Sequence, residues 1–171
     1  QADKQWLDRL HQIDRATLSP TDQISYQLFD FMISQRIALA AHQDWRIPFN
    51  SDSGFHADLL YMHELVEFKT TKDYQNYIAR LNAFPRYFDE NMANMQLGIR
   101  DGFTLPAEIL PGISKVVAGE QFKRVEDCPL YQPFLHFPDS VPPSERASLV
   151  AAGREALQSS VIPAYERFQT F

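Results

Sequence analysis

Cysteine occurs once in this 171-residue sequence, as Cys128, so no disulfide can form within it. No stretch approaches the roughly 18 consecutive apolar residues that a membrane span requires. No block of Lys and Arg is present, and 16 basic residues against 22 acidic ones leave a net charge of −6. That balance disfavours a nucleic-acid-binding surface. Three catalytic and phosphate-binding signatures are also missing. There is no G-x-S-x-G nucleophile elbow, no G-x-x-x-x-G-K-[ST] phosphate loop and no G-x-G-x-x-G turn. No alternating strand pattern, tandem repeat or low-complexity segment occurs. The opening QADKQWLDRL is already charged and patterned, so it does not read as a secretory leader.

What is present is apolar and aromatic material. Hydrophobic residues make up 44% and aromatics 13%, with 13 Phe and 7 Tyr, which excludes a disordered chain. The length suits one domain with a substantial core. The chain starts at Gln1 without Met and stops at Phe171 in mid-pattern. Residues 1–171 are therefore expected to be a single helical domain or a piece of a larger helical chain. The plainer alternative is a trimmed form of a small complete protein.

The apolar spacing is that of helices throughout. Trp6, Leu7, Leu10 and Ile13 open the pattern. Ser19, Pro20 and Asp22 then spell a helix start, with a capping side chain, a proline at the first helical position and a capping-box acid. The helix that follows runs to about His42. It carries Ile24, Leu28, Phe31 and Gln35 along one line and Phe29, Ile33 and Ile37 beside it, an arc broad enough to predict a central helix. Pro48, Asn50, Asp52 and Gly54 mark a loop. A helix is expected over Asp58–Phe68, and another from the Thr70/Asp73 capping box, with Tyr74, Tyr77, Ile78 and Leu81 inward. Pro85 must kink or break the long run that continues through Phe88, Met92, Met95 and Ile99 to Asp101-Gly102. Gly98 and Gly102 mark a helix end and tight turn rather than a dimerisation face. Pro106 starts the next helix, with an irregularity at Pro111-Gly112. Pro129, Pro133, Pro138, Pro142 and Pro143 make 127–143 a loop with one short turn. A last helix carries Leu149, Ala152, Ala156 and Ile162 and is kinked at Pro163. The expected fold is all-α, an irregular multi-helix bundle containing a long Pro-interrupted helix.

One stretch carries possible chemistry. YMHELVEF contains His63-Glu64, the opening of the zinc motif H-E-x-x-H, but the fifth position is Glu67. On a helix His63 and Glu67 share a face and supply at most two ligands, where a catalytic zinc takes three plus water. His56 lies about two turns away, roughly 10 Å along a helix axis, too far to join them without a bend. His11, His42 and His136 have no ligand spacing. Solvated helix charges are the prevailing reading of Glu64 and Glu67, and a metal centre at His63, Glu64 and Glu67 is the minor one. Cys128 sits among acids, where nothing lowers its pKa, so a catalytic thiol is not expected. Tyr131, Phe134 and Phe137 read as loop packing on a core. If the chain borders a substrate cleft, 49–55 and 131–137 are the aromatic segments expected to line it.

Several segments resemble a bacterial family catalogued as domain of unknown function 885. The resemblance is carried by IPFNSDSGFHADLLYM, by Tyr77, Arg80, Leu81, Pro85, Gly98, Gly102 and Pro106 in order and spacing, and by Pro163, Ala164 and Tyr165. Members of that family resemble helical zinc metallopeptidases whose H-E-x-x-H lies in a C-terminal half. No such motif exists here, so no catalytic, cofactor or metal residue carries over, and His63-Glu64 does not fall where the zinc motif belongs. The resemblance implies a non-catalytic N-terminal helical portion of a zinc-dependent peptidase, forming a cleft wall or lid, with the catalytic half absent. It implies the remainder of the parent chain and a peptide substrate as partners, and zinc in the parent only. It further implies a periplasmic or envelope lipoprotein. The alternative is a free-standing helical binding or scaffold protein.

Overall fold

The computed structural model describes residues 2–50, 53–110, 112–119 and 122–171. They form two compact units, Gln1–Trp45 and Arg46–Phe171. Helices dominate, and among the described residues the one strand-like contact is an isolated antiparallel bridge, Phe49 to Gly54. The all-α expectation holds. Among the described residues no helix is long and apolar enough to cross a membrane.

The first unit is an antiparallel hairpin of α1 (Ala2–His11) and α2 (Pro20–Ala41). Two side-chain contacts link the helices, an ion pair of Arg36 with Asp3 at 3.1 Å and a hydrogen bond between His11 Nε2 and Asp30 at 2.7 Å. The start of α2 is as its sequence spells it. The Ser19 hydroxyl accepts from the Asp22 N–H at 3.2 Å, and Pro20 occupies the first turn. The expectation of a central helix is not met within this unit. Ile33 is the buried residue of α2, while Ile24 and Phe31 are 67% and 61% exposed. The reason lies in the angular distribution of its apolar residues. Tyr26, Ile33 and Ile37 fall on one face, and Ile24, Leu28, Phe31 and Leu39 on the opposite one. A two-helix unit can cover only one of them.

The second unit begins with the Pro48–Gly54 loop; Asp52, expected in it, lies outside the described residues. Gly54 has φ +153, and a Cβ there would stand 2.4 Å from the Phe49 Cβ, so the bridge admits only glycine. The expected helix over Asp58–Phe68 is not found. The chain forms one turn, α3 (Phe55–Asp58), then a 3₁₀-helix over Leu59–Glu64, and helical structure ends before Val66. Three residues per turn stack Leu59 and Met62, both half-buried, on one edge.

The next elements are α4 (Thr71–Asn82) and α5 (Phe84–Asp101), divided at Ala83. The Thr70/Asp73 capping box forms as expected, with the Thr70 N–H donating to Asp73 at 2.7 Å. Pro85 breaks the run, because it cannot donate backward and its ring excludes the preceding turn, so it sits in the first turn of α5 instead. α5 ends in a Schellman turn. Gly102 takes φ +70, its N–H reaches Ile99 O at 3.3 Å, and the Phe103 N–H reaches Gly98 O at 2.8 Å. Pro106 opens only a 3₁₀ turn, Ala107–Ile109, before α6 (Ile113–Gly119); Pro111, the other half of the expected irregularity, lies outside the described residues.

The proline-rich segment is no surface loop. Cys128, Leu130, Tyr131, Phe134 and Val141 are all buried, and the 3₁₀ turn Pro129–Phe134, following a first one over Val125–Asp127, carries Leu130, Tyr131 and Phe134. The Tyr77 hydroxyl donates to Leu130 O at 3.0 Å, and Phe137 stacks on Tyr74 with ring centres 4.7 Å apart. The last expected helix is α7 (Pro143–Ala156), a π-turn over Leu157–Val161, and α8 (Ile162–Thr170). The wide turn releases the carbonyl that the Pro163 ring would otherwise strike, so the proline is absorbed without ending the helical path. Ala152, expected on the inner face, is exposed; Gly153 takes the inward position. The core gathers Tyr77, Leu81, Phe88, Leu157, Val161 and Ala164, each fully buried.

Candidate functional site

The HE pair is placed by the 3₁₀-helix, and this geometry dissolves the expected shared face. Glu67 lies beyond the helical residues and pairs with Lys69 at 2.9 Å, both exposed; that hydrogen bond and charge raise the Lys69 pKa. His63 Nδ1 lies 2.9 Å from Leu60 O, which sets that nitrogen as the donor and fixes the ring. His63 Nε2 is 3.9 Å from Glu64 Oε1. Both residues line an open depression of about 570 Å³ with Tyr61, Asp127 and Gln132. Asp127 is engaged by Arg124 at 2.8 and 3.2 Å, which holds its carboxyl below the usual range.

These residues do not fit a zinc ion. Among the described residues no three His, Cys, Asp or Glu side chains come together as a metal would require. His56 is buried on α3, edge-on to Phe55 at 5.6 Å and tilted against Phe168 at 5.3 Å, and its carbonyl accepts the Tyr165 hydroxyl at 2.6 Å. His11 is paired with Asp30, His42 caps the end of α2, and His136 is exposed, its carbonyl facing the Tyr74 hydroxyl at 3.4 Å. Cys128 is buried, and burial pushes its thiol up to about 11, away from the thiolate that a nucleophile needs.

The second unit carries a different kind of concavity. The Schellman turn folds Phe103 back along α5, and Arg46 arrives at the same place from the other side. Gly98 makes both approaches possible: a Cβ there would lie 2.6 Å from Phe103 O and 3.3 Å from Arg46 O. Arg46 is tied to the end of α5 by Asp101, with Nη1 to Oδ2 at 2.9 Å. Between these walls lies a cavity of about 180 Å³ lined by Ile47, Phe49, Met95, Ile99, Phe103 and Leu110, with Arg46, Thr104 and Leu105 at its borders. Phe49, Met95, Ile99 and Leu110 also bound a second, more open cavity of about 320 Å³, completed by Ile113, Val117, Phe168 and Phe171. The two share walls and form one apolar trench along α5.

The trench corrects part of the cleft expectation. Phe49 lines it, but Phe55, Tyr131 and Phe134 are core residues. Met95, Ile99, Phe103 and Leu110 were legible only as helix stripe or loop. The available signal was Gly98, four residues before a turn glycine, where a helix without a side chain invites close backbone approach.

The fold and site thus define an all-helical, acidic chain that carries an apolar trench along α5. The chain belongs to the family of bacterial proteins of unknown function DUF885, whose model matches residues 1–171. Comparison with curated proteins and with solved structures gives no match.

Proposed function

We propose that this chain is the non-catalytic helical portion of a zinc-dependent peptidase and forms a wall of its peptide-binding cleft. The observation that carries the reading is the apolar trench along α5, two adjoining cavities of side-chain size open to a ligand. The resemblance of the family to helical metallopeptidases supplies the reaction class; zinc, base and oxyanion stabilisation would come from the rest of the parent chain. The same reading makes the parent an envelope lipoprotein, which membrane fractionation and lipid labelling check.

The test is to assay the 171-residue chain and its longer parent side by side on a mixed peptide library, with and without chelator. The expected result is chelator-sensitive cleavage by the parent and none by the chain alone. Cleavage by the chain alone overturns the division of labour. Silence from both removes the peptidase assignment and favours a second reading, a helical binding or scaffold protein. The exposed apolar face of α2, with Ile24, Leu28, Phe31 and Leu39, is the observation in favour of that second reading.

A further inference from the structure

We infer that the cavity between Arg46, the end of α5 and Phe103 is a selectivity pocket for one uncharged aromatic or branched aliphatic side chain. This rests on the peptide-binding reading and names the residue class that the cleft would prefer. The volume, about 180 Å³, admits a single ring. A cavity of this size lined almost wholly by apolar side chains suits a ring, with few polar groups to satisfy. Phe49 and Phe103 offer ring faces and edges, and Met95 offers a polarisable sulfur, the partners an aromatic guest packs against.

Charge selection follows from Arg46, the one charged residue among the described residues that line the cavity. The Arg46 guanidinium is held by Asp101, and Asp101 is held in turn by Arg100 at 2.9 Å. A cationic side chain entering the cavity would meet this guanidinium and lose its water, and no carboxylate is present among the described residues that line the cavity. A neutral ring loses nothing polar. Thr104 and Leu105 border this cavity and not its neighbour, whereas Phe171 borders the neighbour and not this one, so the two can be tested apart.

The experiment uses the 171-residue chain and N-acetyl-phenylalaninamide as probe, with N-acetyl-alaninamide and N-acetyl-lysinamide as comparisons. Methyl-detected NMR is expected to show saturable shifts at Met95, Ile99, Leu105 and Leu110, with ring-to-methyl NOEs, for the phenylalanine probe only. Thr104→Trp, which fills the mouth from an exposed loop position, is expected to weaken binding about tenfold or more. Leu65→Ala, 83% exposed and outside the trench, should leave it unchanged. Should Thr104→Trp not fold, the NOEs on the unaltered chain decide alone. No saturable shift, NOEs from elsewhere, or equal binding of the lysine probe overturns the pocket. Binding at the pocket while the parent cleaves nothing sustains it and sinks only the peptidase reading; cleavage by the parent with no binding here does the reverse.

Discussion

Replacing Gly153 with alanine inserts a methyl group into the face of a buried ring. The new Cβ would stand 2.4 Å from Phe134 Cζ and 2.6 Å from both Cε atoms. Optimal carbon contacts lie at about 3.5–4.0 Å, so three contacts fall about 1 Å or more too short. The ring has nowhere to go. Phe134 is 3% exposed and lies among the rings of Tyr74, Tyr77 and Tyr131, at centroid distances of 6.0, 6.0 and 5.9 Å. Overpacking of this kind costs roughly 1–3 kcal/mol, and this geometry belongs in the upper half of that range. Alanine is the better helix former by about 1 kcal/mol, which offsets part of it. Gly153→Ala is therefore expected to lower stability by about 1–2 kcal/mol in urea unfolding followed by circular dichroism. The control is Phe134→Leu, which removes the struck ring carbons. The double variant should be less destabilised than the sum of the singles by about 1 kcal/mol or more. A Gly153→Ala protein more stable than the parent, as helix propensity alone dictates, would refute the reasoning; so would strict additivity.

Tyr165→Phe removes a buried hydrogen bond and leaves His56 O without that donor, so unfolding should ease by about 1–2 kcal/mol. Burial raises the Cys128 thiol from 9.0 to about 11 and raises the Tyr77 phenol as well. Between pH 9 and 11 the unfolded thiol has lost its proton while the native one keeps it. Stability must then fall as pH rises through that window, and Cys128→Ala should flatten the slope in unfolding at stepped pH. Chelator-free protein is expected to carry no stoichiometric zinc by elemental analysis, with His63→Ala unchanged; one equivalent of zinc lost in that variant would restore the HE pair as a metal site.

Local signals in the sequence translated well into structure where chemistry acts over three or four residues. The Ser19-Pro20 start, the Thr70/Asp73 box, the break at Pro85 and the Gly102 turn all depend on backbone groups close in the chain. The expected helix over Asp58–Phe68 failed because an i, i+3 pair such as Leu59 and Met62 fits a period of 3.0 as well as one of 3.6, and apolar spacing alone does not separate them. The proline count from Pro129 to Pro143 pointed outward, yet 3₁₀ turns tolerate proline and carry Leu130 and Phe134 into the core. α2 misled for the opposite reason: a broad apolar arc reports how many faces want cover, not which partner supplies it. The trench was not legible, since Met95, Ile99 and Phe103 become neighbours of Phe49 only through the backbone approach at Gly98.

The bond from Tyr165 to His56 joins residues 109 apart in sequence. During synthesis the first half of this core must wait for the second. At about 5–20 residues per second, roughly 5–20 s separate the emergence of His56 from that of Tyr165. Through that interval Phe55 and Phe88 lack the ring of Phe168, which closes on them at 4.9 and 5.9 Å. Folding of this unit is thus gated by its own last helix. A nascent chain stalled before α8 would leave the rings of Phe55 and Phe88 without the ring of Phe168 that covers them.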